Sequence, residues 1–470
     1  MRFILSLLVT FFVIQSLHAE TPNFVIIFTD DQGYQDVGCF GSPNIKTPLL
    51  DKMASEGMRF TSFYAQTVCG PSRAALMTGS YPLRVATKGN RVEVHPRLHT
   101  NEITIAEMLK DVGYTTGAFG KWDLAGHSQE KYEPELLPTH QGFDYYYGTP
   151  SSNDSYVNFL RNKEVIEKKA PMGEVTKRLT DEAIQFIQRS ADKPFFVYLA
   201  HPMPHVKLAV TDEFKGKSAA GIYGDVIEEL DWNIGRVLDT LREEGVDENT
   251  YVFFMSDNGP WFLGRSQGHK KRIGPDAVKH GGSALPLRGA KTSTWEGGLR
   301  VPCIMRAPGK IPAGGVCAEL TCTMDLLPTI ANLADGEIPS DRVIDGNDIT
   351  DLIHGEEGAK SQKEAYYYYQ QTQLQAVRSG RWKLHLPGPR HWSYYSKAAD
   401  AGPLDQQLLF DLENDLSETT DVADENPEVV NELLKLVEKA RADIGDFNRV
   451  GKNARFFDDA PKRPDIKPKN

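Results

Sequence analysis

The chain has 470 residues, of which 40% are hydrophobic and 25% charged, an ordinary balance for a folded, soluble protein. The length fits roughly two to four domain equivalents, or one large α/β domain with an appendage. The net charge is −11, with acids and bases mixed along the chain; this argues against a nucleic-acid partner, which needs a clustered basic face.

Residues 1–19 have the form of a secretory signal peptide. Arg2 gives a short basic start, residues 3–14 are apolar, and Leu17-His18-Ala19 ends in a small residue where a signal peptidase can cut. The run is short for a bilayer span and polar sequence follows at once; an uncleaved anchor is the alternative. No other stretch is apolar for long enough to cross a membrane. The mature chain is therefore expected to be soluble, without a membrane partner, and secreted or periplasmic.

Asn23–Thr29 is a continuous apolar, β-rich run, as expected for a strand buried on both faces. Thr47-Pro48 opens a helix that stops at Gly57, with a cap residue, Pro in the first turn and Gly past the end. Thr104 and Glu107 form a capping-box pattern for a helix stopping near Gly113, and residues 114–119 read as the next strand. A helix over 174–189 leads into a buried strand over 194–200. A long helix over 223–244 is closed by Gly245, and Thr250–Ser256 is a strand again. This alternation predicts a mostly parallel sheet covered by helices on both faces.

From about residue 360 the texture changes. Residues 365–369, Gln373–Ser379, 381–386 and Leu408–Asp411 read as short strands, followed by a helix over 427–444. That pattern predicts a small antiparallel sheet with a helix against it. The expected organisation is a signal peptide over 1–19, a catalytic α/β domain over 20–355, an α+β subdomain over 356–450 and an extended tail over 451–470.

The five cysteines are Cys39, Cys69, Cys303, Cys317 and Cys322. They are too few for a disulfide scaffold, and the odd number in an exported chain suggests a free or chemically special thiol. Cys317 and Cys322 are near enough in sequence to pair, and read equally as small buried residues.

Ligands of parallel α/β sheets collect beyond the carboxyl ends of the strands. The first strand runs into Asp30-Asp31-Gln32-Gly33, and a later one into Asp257-Asn258-Gly259. Either pair alone reads as a turn former. Two such pairs at strand ends suit a hard divalent cation, which takes six to eight oxygen ligands. No His or Cys adjoins them, so zinc matches less well. The stretch Val68-Cys69-Gly70-Pro71-Ser72-Arg73 places Cys69 in a Gly-Pro turn, with Ser72 and Arg73 entering a helix. Free backbone N–H groups, the positive end of the helix dipole and the Arg73 cation suit a tetrahedral oxyanion there. A buried Cys ahead of a capped helix is the plainer reading.

Cys69-Gly70-Pro71-Ser72-Arg73, followed by Leu76-Met77-Thr78-Gly79, resembles the signature of the type I sulfatases, of the arylsulfatase A and N-acetylgalactosamine-6-sulfatase kind. Further matches run through the chain in the family's order. They are Asp30-Asp31; Gly120-Lys121-Trp122; Pro202-Met203-Pro204-His205; Ser256-Asp257-Asn258-Gly259; Pro286-Leu287-Arg288-Gly289-Ala290-Lys291; and Thr294-Trp295-Glu296-Gly297-Gly298. In the C-terminal part, Arg381-Trp382-Lys383-Leu384 and Leu409-Phe410-Asp411-Leu412-Glu413 match as well.

The resemblance implies an alkaline-phosphatase-like fold: a large, mostly parallel sheet flanked by helices, with a smaller C-terminal antiparallel sheet plus helix. It implies that a formylglycine-generating enzyme oxidises Cys69 to 3-oxoalanine (formylglycine). One Ca²⁺ would be held by Asp30, Asp31, Asp257 and Asn258, with the group at Cys69 beside it. The hydrated aldehyde, a gem-diol, would attack sulfur and form a sulfo-enzyme intermediate. Loss of a proton from its second hydroxyl would then expel sulfate and return the aldehyde. Arg73, Lys121 and Lys291 would neutralise the sulfate oxygens, and His205 would protonate the leaving oxygen. Each of these residues also has an ordinary reading: Lys121 and Lys291 as solvated lysines, His205 as a surface histidine, and the neighbouring His201 as structural.

The chain departs from the family at Asp123, where the family has His two positions after the Lys. Asp123 can serve as the base in its place, His127 can swing in, or turnover is slow or absent. A phosphate-ester hydrolase of the same superfamily and a non-catalytic binder of sulfated glycans are the rival functions. The favoured substrate is a sulfated carbohydrate. Its specificity is expected from the loops 145–158, 261–280 and 387–403, which are rich in Tyr, Trp, His and Arg.

Overall fold

The computed structural model describes residues 21–88, 97–261, 281–388 and 402–457. The signal segment over 1–19, residues 458–470 of the tail and most of the loops 261–280 and 387–403 lie outside the described residues.

The first strand, β1 (Asn23–Thr29), is buried along its whole length. Phe24, Ile26 and Phe28 enter one core, while Val25 and Ile27 enter another. This is the period-two consequence of a strand covered on both faces. The large sheet also contains β2 (Met58–Phe60), while β3 (Phe63–Tyr64) lies outside it. It continues with β4 (Thr115–Lys121), β5 (Tyr145–Thr149), β6 (Val157–Arg161), β7 (Glu164–Ala170), β8 (Phe195–Ala200), β9 (Thr250–Ser256), β10 (Cys303–Arg306) and β11 (Gly315–Cys317). The ten strands lie in the order β11-β2-β10-β9-β1-β8-β4-β5-β6-β7.

The five central strands, β9-β1-β8-β4-β5, are parallel, as the alternation of strands and helices predicts. The flanks are mixed. β6 adds antiparallel to β5 and β7 antiparallel to β6, and β10 runs antiparallel between β9 and β2. Parallel neighbours need a crossover of a dozen or more residues, and the two residues between β6 and β7 leave room only for a hairpin.

Among the described residues the first five α-helices are α1 (Pro48–Ser55), α2 (Cys69–Thr78), α3 (Ile105–Asp111), α4 (Val175–Ser190) and α5 (Gly221–Glu243). Side chains of α1, α4 and α5 share the core of Val25 and Ile27. Those of α2, α3 and the Leu326–Leu333 helix share the core of Phe24 and Phe28. At the start of α3, the Glu107 N–H donates to Thr104 Oγ1 (3.2 Å) and the Thr104 N–H to Glu107 Oε2 (2.8 Å). This capping box contributes about 1 kcal/mol.

The C-terminal part is a four-stranded antiparallel sheet. After β12 (Thr321–Cys322), which pairs with β3, come β13 (Tyr366–Gln370), β14 (Gln373–Ser379), β15 (Trp382–His385) and β16 (Leu408–Asp411), paired in sequence order. The Pro427–Asp443 helix lays Val430, Leu433, Val437 and Ala440 against it, a helical stripe on one face. The same core takes in Tyr64, Ala75, Tyr81 and Leu299, so the small sheet is packed onto the large unit. Residues 451–457 run without helix or strand, and Arg455 pairs with Glu102 at 2.7 Å.

All five cysteines are free. Cys317 and Cys322, for which pairing and burial were both open, are buried thiols in two different sheets. Among the described residues no helix is long and apolar enough to cross a membrane.

Candidate active site

Four adjacent parallel strands, β9, β1, β8 and β4, deliver the candidate residues at their carboxyl ends. Thr29 and Ser256 are partners at the ends of β1 and β9, so Asp30-Asp31 and Asp257-Asn258 emerge side by side. The segment after β8 brings in His205, and β4 ends in Lys121 with Asp123 just beyond. Gly120, at φ 108°, lets β4 pass close to β8: an added Cβ would sit 1.9 Å from Ala200 O.

Cys69 is itself the first residue of α2, whereas the sequence reading placed it in a turn ahead of the helix. The difference follows from Pro71, which is tolerated in a first turn because its missing N–H has no partner there in any case. Ser72 then closes that first turn and Arg73 opens the second, and the whole helix is buried.

One ligand atom each from Asp30, Asp31, Cys69 and Asp257 lies within 4.8 Å of the others. Cys69 Sγ is 3.3 Å from Asp30 Oδ1, and Asn258 Nδ2 donates to Asp31 Oδ1 at 2.7 Å. The two oxygen-bearing pairs therefore do have a Cys beside them in space, although none adjoins them along the chain. Asp31 Oδ2 and Asn258 Oδ1 are buried without a hydrogen-bond partner among the described residues. Orphaned, converging oxygens of this kind fit a hard divalent cation.

Three buried cations face the three carboxylates. Lys121 Nζ pairs with Asp30 Oδ2 at 2.7 Å and Lys291 Nζ with Asp31 Oδ1 at 2.6 Å. Arg73 Nη2 pairs with Asp257 Oδ2 at 2.8 Å. Lys291 Nζ also reaches Cys69 Sγ at 3.2 Å and lies 4.5 Å from the Trp261 ring centre. Burial raises the carboxyl of Asp30, but Lys121, His205, Arg73 and Lys291 outweigh it and hold the group well below the usual range. Burial instead wins at Asp31, pushed up to about 6, and at Asp257, pushed up to about 7, with Asp30 adding to both. Neighbouring carboxylates out of water resist ionising together. Burial also raises the Cys69 thiol well above its ordinary value, so it stands here as a neutral thiol.

His205 is buried with Nε2 3.7 Å from Asp31 Oδ2. Its Nδ1 lies 2.6 Å from Val206 O and 3.1 Å from Asn153 Oδ1. Two acceptors at Nδ1 put the proton on that nitrogen, which leaves Nε2 aimed into the site. Burial lowers this imidazole to about 3. His201 is buried at the end of β8, with no hydrogen-bond partner for either ring nitrogen among the described residues.

Asp123 and His127, alternatives in the sequence reading, are joined to each other: His127 Nδ1 lies 2.7 Å from Asp123 Oδ1. Asp123 Oδ2 is 3.6 Å from Lys121 Nζ, and His127 Nε2 is 3.5 Å from Asp154 Oδ2. The structure thus brings together all the residues named from the sequence: Asp30, Asp31, Cys69, Arg73, Lys121, Asp123, His205, Asp257, Asn258 and Lys291.

Sequence reasoning missed Asp154, Ser152 and Asn153. All three lie in the loop 145–158 expected to read substrate, yet Ser152 Oγ and Asn153 Oδ1 both contact His205 Nδ1, at 3.2 and 3.1 Å. It also missed three strained positions. Asp31 (φ 67°), Asp123 (φ 56°) and Thr292 (φ 73°), the residue after Lys291, take the left-handed conformation. Each costs roughly 1–3 kcal/mol and survives only where its surroundings over-determine it. Asp is tolerated there more often than most residues; a β-branched Thr is an outlier, and no motif announces it.

The fold and the site define an α/β enzyme whose strand ends hold a carboxylate cluster paired with three buried cations beside Cys69. Its kinship agrees. The sequence model of the sulfatase family matches residues 22–336, and that of the C-terminal region of aryl-sulfatase matches residues 361–467. Human steryl-sulfatase is 31% identical over 523 residues, covering 91% of this chain and 88% of that protein. Dog N-acetylgalactosamine-6-sulfatase is 35% identical over 414 residues, covering 82% and 75%. A solved structure described under glycosaminoglycan metabolism by Bacteroides thetaiotaomicron superposes with a TM-score of 0.78 at 27% identity, over 90% of this chain and 100% of that one. The chain belongs to the sulfatase family, and it is a sulfuric ester hydrolase.

Proposed function

We propose that this chain hydrolyses sulfate monoesters of a sulfated carbohydrate, with formylglycine at position 69 and one Ca²⁺ among Asp30, Asp31, Asp257 and Asn258. The observation that carries this reading is the meeting of Cys69, three carboxylates and three buried cations in one small volume. The net reaction adds water across the ester: R–O–SO₃⁻ and H₂O give R–OH and HSO₄⁻.

Formylglycine, once formed, supplies a nucleophilic hydroxyl that an ordinary thiol lacks. Its formation removes the Cys69 sulfur as sulfide and oxidises Cβ by two electrons, with dioxygen as acceptor on a formylglycine-generating enzyme. A bound Ca²⁺ makes a neighbouring hydroxyl easier to ionise. The chain's own residues do the rest. Arg73, Lys121 and Lys291 neutralise the sulfate oxygens in a buried site, where charge is weakly screened. His205 Nε2 faces the site; because Nδ1 holds the ring's proton, Nε2 protonates the leaving oxygen only after taking up a second proton, which the charge of a bound substrate favours. Asp123, backed by His127, takes the proton whose loss accompanies sulfate release.

The sugar reading draws on the N-acetylgalactosamine-6-sulfatase likeness and on the glycosaminoglycan setting of the structural relative. Export of the chain, read from residues 1–19, suits such a polymer. The test is the mass of the peptide containing residue 69, taken together with desulfation of a panel of defined sulfated sugars. An unmodified thiol in fully active protein would overturn the proposal.

A further inference from the structure

Lys291 is carried by a loop that local chain preference does not hold. Thr292, directly after it, is left-handed, and a β-branched residue adopts that conformation only under outside constraint. On one side the constraint comes from the large unit: the Lys291 N–H donates to Pro260 O (3.0 Å) and the Thr292 N–H to Thr67 O (2.9 Å).

On the other side it comes from the C-terminal sheet. Thr294 Oγ1 donates to Gln375 Oε1 of β14 at 3.0 Å. The Trp295 ring lies 4.1 Å from that of His385 in β15. Glu296 is wholly buried: its N–H donates to Glu418 Oε2 at 2.7 Å, and its carboxylate accepts from Lys383 Nζ at 2.9 Å. Lys383 Nζ is also 2.8 Å from Glu418 Oε1, so one buried lysine ties both acids.

Buried ion pairs add little net stability over an apolar packing, because desolvation offsets their attraction. They are, however, intolerant of any arrangement that leaves a charge unpaired. A network of this kind placed on the loop of Lys291, three to five residues away, fixes one loop geometry. We infer that the C-terminal subdomain is part of the active-site machinery, with Lys383 acting through Glu296 and Glu418 as a positioning residue for Lys291. The inference rests on the reading of Lys291 as a contact of the sulfate group.

The experiment is a double-mutant cycle in the full chain: wild type, Lys383→Met, Lys291→Ala and both together. Hydrolysis of 4-nitrophenyl sulfate and calorimetric binding of inorganic sulfate are read on each. Lys383→Met is expected to raise KM and weaken sulfate binding by roughly tenfold in the wild-type background, and by less than about twofold when Lys291 is already Ala. Equal factors in both backgrounds, or no change in a folded Lys383→Met protein, would overturn the inference. Should Lys383→Met fail to fold, Thr294→Val in the same cycle removes only the link to Gln375, and its additivity decides. Wild-type protein that binds sulfate but cleaves no sulfate ester defeats the proposed function alone, and the binding cycle still judges the clamp.

Discussion

Asp123 Oδ1 and His127 Nδ1 are 2.7 Å apart, joining a wholly buried carboxylate next to Lys121 to an imidazole that is 27% exposed. By the resemblance read from the sequence, Asp123 stands where a histidine is expected, and His127 adjoins it. Asp123→Asn keeps the shape and removes the base, so kcat is expected to fall by about 10²–10⁴-fold, with a sulfo group retained on the protein by intact mass. His127→Gln should cost about tenfold, because the carboxylate remains but loses its orientation. Unchanged turnover in Asp123→Asn would remove Asp123 from the mechanism.

The same pair makes stability depend on pH. Burial lowers the His127 imidazole, but the adjoining Asp123 carboxylate and then Asp154 outweigh it and push the group up to about 9. A pKa raised by folding stabilises fully below the unfolded value of about 6.5 and is lost as pH rises through the folded one. The melting temperature of wild-type protein should therefore exceed that of His127→Gln most below pH ~6.5, and the two should converge above about pH 9. A gap that does not vary with pH would contradict the ion pair.

Removal of divalent cations tests the carboxylate cluster. Asp31 and Asp257 are pushed up to about 6 and about 7 without an ion, and a bound cation would stabilise their charged forms. Chelation is expected to abolish turnover and lower the melting temperature, with Ca²⁺ restoring both. Full activity after chelation would sink the metal assignment.

Cys69→Ala removes only the sulfur from a helical first turn whose backbone is otherwise intact. Turnover is expected to fall by more than about 10³-fold while the melting temperature shifts by only a few degrees. Residual activity within tenfold of wild type would show that another nucleophile serves.

Gly120→Ala tests the strand geometry that delivers Lys121. The added Cβ would meet Ala200 O at 1.9 Å, backbone against atom with nothing flexible to yield. A loss of more than about 3 kcal/mol is expected by denaturant unfolding. A loss below about 1 kcal/mol would mean that β4 and β8 can part there.

Much of the fold was legible because it rests on local pattern. β1 and β9 lie where their apolar runs place them, and the capping box of Thr104 and Glu107 sets the start of α3. On the β10 side, the mixed flank of the sheet was not legible, since β2, β10 and β11 are too short to carry a period. Among the candidate residues, motif and strand-end position named every member of the central cluster. They did not reveal that Asp123 and His127 form one unit, or that Ser152 and Asn153 support His205.

Residue types and their order, read alone, determined the kind of chemistry: carboxylates after two strands, a special cysteine in a turn ahead of a helix, and cations in fixed motifs. Those are properties of short stretches, and short stretches are governed by nearest-neighbour sterics and hydrogen bonding. Which carboxylate pairs with which cation, and what pins the Lys291 loop, was decided only by tertiary packing. Coulomb energy and desolvation depend on distances between residues far apart in the chain, such as Asp31 and Lys291 or Glu296 and Lys383, and only the folded backbone sets those distances.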